Sequence, residues 1–255
     1  MSSYGIWLSA AGMKLSDHRQ TLLTNNIANA QTTGFKHDLA VIMQRRVESK
    51  ENASGGAFVH PVLDGLSGGF NVQPAYHDWA QGPIEPTGKP LDVAIEGDGF
   101  FTVSDGETKR YTRDGAFAMN EEGELVLTTE SGRWRVLDPA GDAIRVDPTL
   151  GKVGVSGDGT IRQGNNVVGQ IGLANVENRR LLRKVGENLF ELTGGEAVPA
   201  KGRLVWGSLE GSNFDIMQGL ATMIEASRMY QMNATMLQLQ DQLTGQAVST
   251  LGRVA

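Results

Sequence analysis

Glycine and proline are concentrated in the middle of this chain. Residues 1–36 and 212–255 each hold three glycines and no proline, whereas the 175 residues between them hold the other 27 of the 33 glycines and all eight prolines. Both residue types mark turns and are unfavourable inside helices. The distribution therefore predicts an α+β fold, with a long helix at each end and a mainly antiparallel β domain inserted between them.

The N-terminal segment carries a helical apolar repeat. Its members are Leu8, Ala11, Leu15, His18 and Leu22. They recur at alternating steps of three and four residues, which is the spacing of a coiled-coil seam. The polar stretch 25–33 and Gly34 follow the repeat. They predict the end of the helix, with Gly34 in a left-handed turn.

The C-terminal segment has a wider apolar surface. Its main repeat consists of Ile216, Leu220, Met223, Ser227, Tyr230, Ala234 and Leu237, and a second flank consists of Met217, Ile224, Met232 and Leu239. Ser212, Asn213 and Asp215 precede it and are candidate N-caps. A helix with so broad an apolar surface needs several neighbours. The two terminal helices are therefore expected to pack on each other or on other copies of the chain.

The central region has the pattern of short strands and tight turns. Residues 91–95 and 100–103 are predicted strands, separated by the turn 96–99. Further turn dipeptides are Asp105-Gly106, Asp114-Gly115, Glu122-Gly123 and Asp158-Gly159. Asp-Gly between apolar runs predicts a hairpin, because glycine accepts a positive φ. Residues 46–80 lack periodicity and are predicted to form a long loop or an extended arm.

Composition excludes several classes of protein. The absence of cysteine rules out disulfides, Cys-ligated metals and a cysteine nucleophile. The net charge of −6 argues against a nucleic-acid partner. Apolar runs are far shorter than the ~20 residues of a membrane-spanning helix. Residues 1–11 lack a basic region followed by an apolar run, so a cleaved signal peptide is not expected.

No motif assembles into a convincing active site. Ser67 lies in a Gly-x-Ser-x-Gly match, but a nucleophile elbow needs a strand before it and a helix after it. The acidic turns lack the EF-hand spacing, and the four histidines are scattered. Turn aspartates that bind their own backbone are the commoner case. We therefore expect no enzyme activity, no cofactor and no metal.

Three motifs in order resemble the bacterial flagellar axial proteins of the rod and hook. They are Asn25-Asn26-Ile27-Ala28-Asn29 with Thr33-Gly34-Phe35-Lys36, then Pro90-Leu91-Asp92-Val93-Ala94-Ile95-Glu96-Gly97-Asp98-Gly99-Phe100-Phe101 with Tyr111-Thr112-Arg113-Asp114-Gly115, and then Gly207-Ser208-Leu209-Glu210-Gly211-Ser212-Asn213 with Arg228-Met229-Tyr230-Gln231-Met232-Asn233. The length of the chain and the sequence of 209–213 are most similar to the proximal rod type, with the distal rod type second.

The resemblance implies a structural subunit of the basal-body rod that transmits torque from motor to hook. The terminal helices would form an inner coiled-coil layer of a tube, with the β domain outside. The expected divisions are 1–36, 37–80, 81–211 and 212–255. The expected assembly interface consists of Leu8, Leu15, Leu22, Asn26, Asn29, Ile216, Leu220, Met223, Tyr230 and Leu237.

The resemblance also implies partners and an address. The partners would be other copies of the chain, neighbouring rod and hook proteins, and the flagellar type III export apparatus in transit. The address would be the rod where it crosses the periplasm. A distal rod or hook subunit is the alternative within this class. The alternative from another class is a secreted peptidoglycan hydrolase that uses Asp98 or Asp114, which requires two carboxylates converging in a cleft.

Overall fold

The computed structural model describes residues 2–44, 70–129, 131–147, 153–164 and 166–251. The chain divides into two compact units. The helical unit contains Met1–Ala28, Asp38–His77 and Asp215–Ala255, and the β unit contains Asn29–His37 and Asp78–Phe214. The α+β class is confirmed. The division differs from the expected one because residues 29–37 belong to the β unit and not to the N-terminal helix segment.

Two helices make up most of the helical unit. Helix α1 spans Ser2–Ala28 and helix α2 spans Ile216–Leu251, and the two pack on each other. The predicted cap of α2 is confirmed at Asp215, whose Oδ1 accepts hydrogen bonds from the amides of Met217 at 2.8 Å and Gln218 at 3.2 Å. Among the described residues, neither helix is apolar enough over its length to cross a bilayer.

Small residues form the side of α1 that faces α2. They are Gly5, Ser9, Gly12 and Ser16. A Cβ on Gly5 would lie 2.7 Å from the Gln240 amide, and one on Gly12 would lie 2.8 Å from the Asn233 amide, so the two backbones approach closely. This seam lies one residue beyond the predicted leucine repeat. The repeat did not predict this seam, because periodicity locates the apolar side chains but not the face that a partner helix covers.

The described part of the helical unit also contains four short strands. Strand β1 (Asp38–Leu39) pairs with β4 (Tyr76–His77), and β2 (Ile42–Gln44) pairs with β3 (Phe70–Val72), both antiparallel. Asn26 on α1 binds the start of β1, because its amide donates to the Asp38 carbonyl and accepts from the Asp38 amide, each at 2.9 Å. The described part of the predicted loop 46–80 therefore contains two paired strands. Residues 45–69, including Ser67, lie outside the described residues.

The β unit consists of short antiparallel strands and one 3₁₀ turn at Arg179–Leu181. The strands are β5 Ile84–Pro86, β6 Val93–Glu96, β7 Phe100–Ser104, β8 Lys109–Thr112, β9 Phe117–Met119, β10 Leu125–Leu127, β11 Arg135–Val136, β12 Val153–Val155, β13 Thr160–Gln163, β14 Asn166–Gln170, β15 Leu173–Asn175, β16 Leu182–Lys184, β17 Leu189–Leu192, β18 Val198–Pro199, β19 Arg203–Trp206 and β20 Ser208–Glu210. The main sheet has the order β16-β17-β8-β7-β11-β10-β9, and β15 joins β7 beside β11. Smaller sheets pair β12-β13-β14, β6-β19 and β5-β20.

Three of the predicted hairpins are confirmed. The turns at 105–106, 122–123 and 158–159 join β7 to β8, β9 to β10 and β12 to β13, and each pair of strands is hydrogen-bonded. The predicted hairpin at Asp114-Gly115 is wrong, because β8 pairs with β17 and β9 pairs with β10. Gly115 is needed for another reason: the Val93 carbonyl passes so close that a Cβ on Gly115 would lie 1.7 Å from its oxygen.

Two apolar clusters fill the β unit. The larger one gathers aliphatic and aromatic side chains from β6, β7, β9, β10 and β11 with residues of the later strands. The smaller one is built on three aromatic rings, Trp79, Phe100 and Phe190, whose centroids lie 4.9–6.1 Å apart. This second cluster lies next to a buried charged side chain, because the Arg113 guanidinium lies 5.4 Å from the centroid of the Phe100 ring.

The close approach at Gly115 leads to a stability prediction. Gly115→Ala should lower the free energy of unfolding of the β unit by about 3 kcal/mol or more, because the methyl group overlaps a carbonyl that two strands hold in place. Gly154→Ala, where an added Cβ meets nothing within 4 Å, is the control and should change stability little. Urea unfolding of the two variants measures the difference. Equal losses of stability in the two variants would contradict the close approach of the Val93 carbonyl to Gly115.

Candidate functional site

Parts of all three sequence motifs meet inside the β unit. Lys36 comes from the segment after α1, Arg113 follows β8, and Glu210 ends β20. All three side chains are buried, and the Glu210 carboxylate lies between the two cations. We call this group of three residues the charged junction. Each residue lies in a different sequence motif, so no single motif predicts their contact, although the opposite charges in three separate motifs were an available signal.

The Glu210 carboxylate is fully hydrogen-bonded. Its Oε1 accepts from Lys36 Nζ at 2.6 Å and from the Gly82 amide at 3.0 Å, and its Oε2 accepts from Arg113 Nη1 at 3.1 Å. The two cations have further acceptors, because Lys36 Nζ donates to the Ala80 carbonyl at 2.7 Å and Arg113 Nη2 donates to the Gly97 carbonyl at 2.7 Å. The charged junction therefore joins five stretches of chain.

Burial controls the electrostatics of the charged junction. Burial lowers the pKa of Lys36, and the attraction of Glu210 opposes this shift. Burial likewise lowers the pKa of Arg113, again against the attraction of Glu210. One anion faces two cations in a space that water does not reach. Loss of the Glu210 charge would leave both cations without a counter-charge.

The Thr33-Gly34 segment is bound beside the charged junction. The Thr33 hydroxyl donates to Asp114 Oδ1 at 2.7 Å, and the Asn188 side chain donates to the Thr33 carbonyl at 2.6 Å. The Gly34 amide donates to the Glu210 carbonyl at 2.6 Å. Gly34 has φ +65°, as predicted, and an added Cβ would lie 2.4 Å from the Arg113 backbone carbon. Only glycine fits this position.

Asn213 connects three parts of the β unit. It was a candidate helix cap, but its Oδ1 accepts from the His37 amide at 2.9 Å, while its Nδ2 donates to the carbonyls of Asp78 at 2.9 Å and Ala80 at 3.1 Å. The Asp78 amide in turn donates to the His37 carbonyl at 2.9 Å. The prediction failed at Asn213 because local spacing cannot show a partner more than 130 residues away.

The helical unit leaves large apolar side chains exposed on α2. They are Met217, Ile224, Met232 and Leu239, with exposed fractions of 76, 56, 62 and 49%, flanked by Met229, Met236 and Leu243. We call this surface the outer face of α2. The buried residues of α2, Gly219 and Ala226, lie on the opposite side of the helix. Pairing with α1 therefore leaves the larger apolar residues uncovered.

The predicted interface residues fall into three groups. Leu8, Ile216, Leu220 and Tyr230 are exposed. Leu15, Leu22, Asn29, Met223 and Leu237 are half-buried. Asn26 is buried and bound to β1. The exposed group remains available to a partner, whereas the contacts of Asn26 are within its own chain.

Asp98 and Asp114 do not form a catalytic pair. The Asp98 carboxylate is exposed and forms an ion pair with Arg179. Asp114 is buried and accepts hydrogen bonds from Thr33 and from the Ala116 amide. Two open clefts of about 450 and 360 Å³ lie in the β unit, and neither is lined by Asp98 or Asp114. Within the described residues, no three His, Asp or Glu side chains cluster as metal ligands would.

Three parts of the chain match models of known protein families. Residues 9–36 match the family described as "Flagella basal body rod protein", residues 94–163 match "Flagellar hook protein FlgE/F/G D1 domain", and residues 206–250 match "Flagellar basal body rod FlgEFG protein C-terminal". The three matches cover most of α1 with the Thr33-Gly34 segment, the β unit from β6 to β13, and β20 with most of α2.

Similar proteins match this chain over nearly its whole length. The chain is 36% identical to the flagellar basal-body rod protein FlgF of Caulobacter vibrioides over 91% of each chain. It is 34% identical to FlgG of the same organism over 95% of this chain and 97% of that one, and 31% identical to FlgG of Buchnera aphidicola subsp. Schizaphis graminum over 93% and 96%. The fold and these similarities define a structural protein of the flagellar axis. The chain belongs to the family of bacterial flagellar basal-body rod proteins.

The charged junction leads to a prediction for its anion. Glu210→Ala should lower the free energy of unfolding of the β unit by about 3–5 kcal/mol, because Lys36 and Arg113 would stay buried without a counter-charge. The matched control is Glu191→Ala. Glu191 also binds two cations, Arg110 and Arg183, but at the surface, so its loss should be far smaller. Urea unfolding compares the variants, and similar losses would contradict the role of the charged junction.

Asp114 should give stability an unusual pH dependence. Burial raises the pKa of its carboxyl, against the hydrogen bonds from Thr33 and Ala116. Between the unfolded and the folded pKa the native state then binds more protons, so the contribution of Asp114 to stability falls as pH rises. Asp114→Asn keeps an acceptor oxygen and removes the charge. The variant should therefore be as stable as the wild type or more stable at pH 7, with the difference vanishing in acid.

A second aspartate supplies the control for this pH dependence. The amides of Thr108 and Glu107 lower the pKa of Asp105, so its contribution to stability should be present at neutral pH and lost in acid. Asp105→Asn should therefore have the opposite sign and reduce stability at pH 7. Urea unfolding at pH 7 and near pH 4 measures both variants. A loss at pH 7 in Asp114→Asn that is as large as that in Asp105→Asn would contradict the assignment.

Proposed function

We propose that the chain is a structural subunit of the flagellar basal-body rod, that it polymerises through the outer face of α2, and that the polymer transmits torque from motor to hook. The observation that carries the proposal is the exposure of this face in a helix that already has a partner. Large exposed apolar surfaces are uncommon on monomers and mark interaction sites. The curated relatives are rod proteins by name, which supports the same function.

The shape of the outer face suits lengthwise contact between helices. Met217, Ile224, Met232 and Leu239 follow one another at steps of seven, eight and seven residues, so they form one stripe along the helix. At a rise of 1.5 Å per residue the stripe extends over about 33 Å. Helices that lie side by side in a tube would bury such a stripe along its whole length. Of the predicted interface residues on this helix, Leu220 is exposed beside the stripe and would widen the contact. Tyr230 is exposed on the opposite side of α2, the side of Gly219 and Ala226.

The proposed function involves no catalysis. The carboxylates of the rival hydrolase hypothesis have structural contacts, since Asp98 pairs with Arg179 and Asp114 binds Thr33. In a subunit that carries load, buried polar groups serve to fix the geometry of the chain. The charged junction fits that purpose, because it ties the segment after α1 to the strand before α2. Helices α1 and α2 would then form the inner helical layer, and residues 81–211 the outer domain.

We assign the subunit to the proximal rod, with the distal rod as the alternative. The sequence of 209–213 supports this assignment, and so does the identity of 36% to FlgF of Caulobacter vibrioides against 34% to FlgG of the same organism. Its neighbours would be other copies of the chain and adjacent rod and hook proteins. It would pass through the flagellar type III export apparatus and reach the rod where it crosses the periplasm.

A charge on the outer face tests the proposal. Ile224→Asp should be exported but fail to enter rods, because burial of an unpaired carboxylate in an apolar contact costs several kcal/mol in each subunit. The fold should survive, since Ile224 lies on the side of α2 away from α1. Circular dichroism of the purified chain, isolation of basal bodies and a swimming assay are the measurements.

The control places the same charge on a polar part of the same helix. Gln238 is exposed, and Gln238→Asp should assemble and support swimming. Normal rods from Ile224→Asp would show that the outer face is not an assembly surface. Equal defects in the two variants would show that α2 tolerates no added charge, and they would also contradict the proposal.

A further inference from the structure

All the sulfur of this chain is in methionine, because it has nine methionines and no cysteine. Four of them are exposed on α2: Met217, Met229, Met232 and Met236. No described methionine belongs to the buried apolar core. Methionine is thus concentrated on the surface that the proposed function needs and is absent from the described residues that hold the β unit together.

Exposed methionine has a specific chemistry. A hydroperoxide transfers one oxygen atom to the thioether sulfur, the O–O bond breaks, and the remaining oxygen leaves as water when the oxidant is hydrogen peroxide. The sulfur is oxidised by two electrons and the peroxide is reduced by two. The product, methionine sulfoxide, is polar and accepts hydrogen bonds, so it no longer suits an apolar contact.

We propose that the outer face of α2 is a methionine oxidation site at which hydroperoxides keep the free subunit out of assembly. The inference rests on the proposed function, because it assumes that this face becomes buried between subunits. The exposed sulfurs react in the free subunit, whereas the same sulfurs are shielded once the subunit is in a polymer. Oxidation therefore selects against unassembled chains and spares finished rods.

The structure separates this effect from damage to the fold. The β unit is held by aliphatic and aromatic clusters and by the charged junction, none of which contains sulfur. The seam between α1 and α2 consists largely of small and amide side chains. The half-buried Met223 is the methionine of α2 nearest to that seam and should react more slowly than the four exposed ones. Oxidised subunits should therefore keep their helices and their β unit.

The experiment uses the purified full-length chain and hydrogen peroxide. Peptide mass spectrometry should find sulfoxide at the four exposed methionines of α2 before it appears at Met223. Sedimentation over a range of protein concentrations should show that the concentration needed for assembly rises roughly tenfold or more, since each buried sulfoxide lacks a hydrogen-bond donor. Circular dichroism should not change. Treatment with methionine sulfoxide reductases of both stereochemical types should restore assembly.

Two sets of variants assign the effect to the outer face. A variant with leucine at all four positions, compared with its own untreated sample, should assemble equally well before and after peroxide. The control variant Met43→Leu/Met119→Leu removes the exposed methionines of β2 and β9 and should stay sensitive. Unchanged assembly of fully oxidised wild type, or oxidation of Met223 as fast as the others, overturns the inference alone. Untreated wild type that never assembles overturns the proposed function and the inference with it.

Discussion

The buried carboxylate of Glu210 is the constraint on which the β unit depends. It holds Lys36 and Arg113 at 2.6 and 3.1 Å, and through them it fixes segments that are 174 and 97 residues away in sequence. Such a group contributes less to net stability than to geometry, because desolvation of the charges offsets much of their attraction. Its value is that alternative arrangements are costly, since each would leave a charge buried and unpaired.

The two units treat their apolar residues in opposite ways. The β unit buries many of its large apolar side chains in two clusters, although a few such as Trp206 are exposed. The helical unit joins α1 to α2 through small and polar residues and leaves the larger ones exposed. Stability and association are thereby assigned to different parts of the chain. A substitution on the outer face of α2 can change assembly without changing the fold, which separates the two effects experimentally.

Local signals predicted the elements, and long-range packing decided the rest. Both helices, the cap at Asp215, the turn at Gly34 and three hairpins followed from residues adjacent in sequence. The predicted hairpin at Asp114-Gly115 is wrong because Gly115 lies against the Val93 carbonyl of β6, and no local pattern shows that contact. The seam between α1 and α2 was not predicted, since small residues carry little weight in an apolar repeat although they permit the closest approach. The charged junction was not predicted, because its three members lie in different motifs.

The bonds of Asn213 have a mechanical consequence. His37, Asp78 and Asn213 are hydrogen-bonded to one another, and the chain leaves the β unit at or next to each of them. Tension between these exits would cross a few hydrogen bonds at a single point, instead of travelling around the β strands. The remaining strands of the β unit would then bear little of that tension. Changes in the size or surface of the β unit would then leave the strength of the rod unaffected.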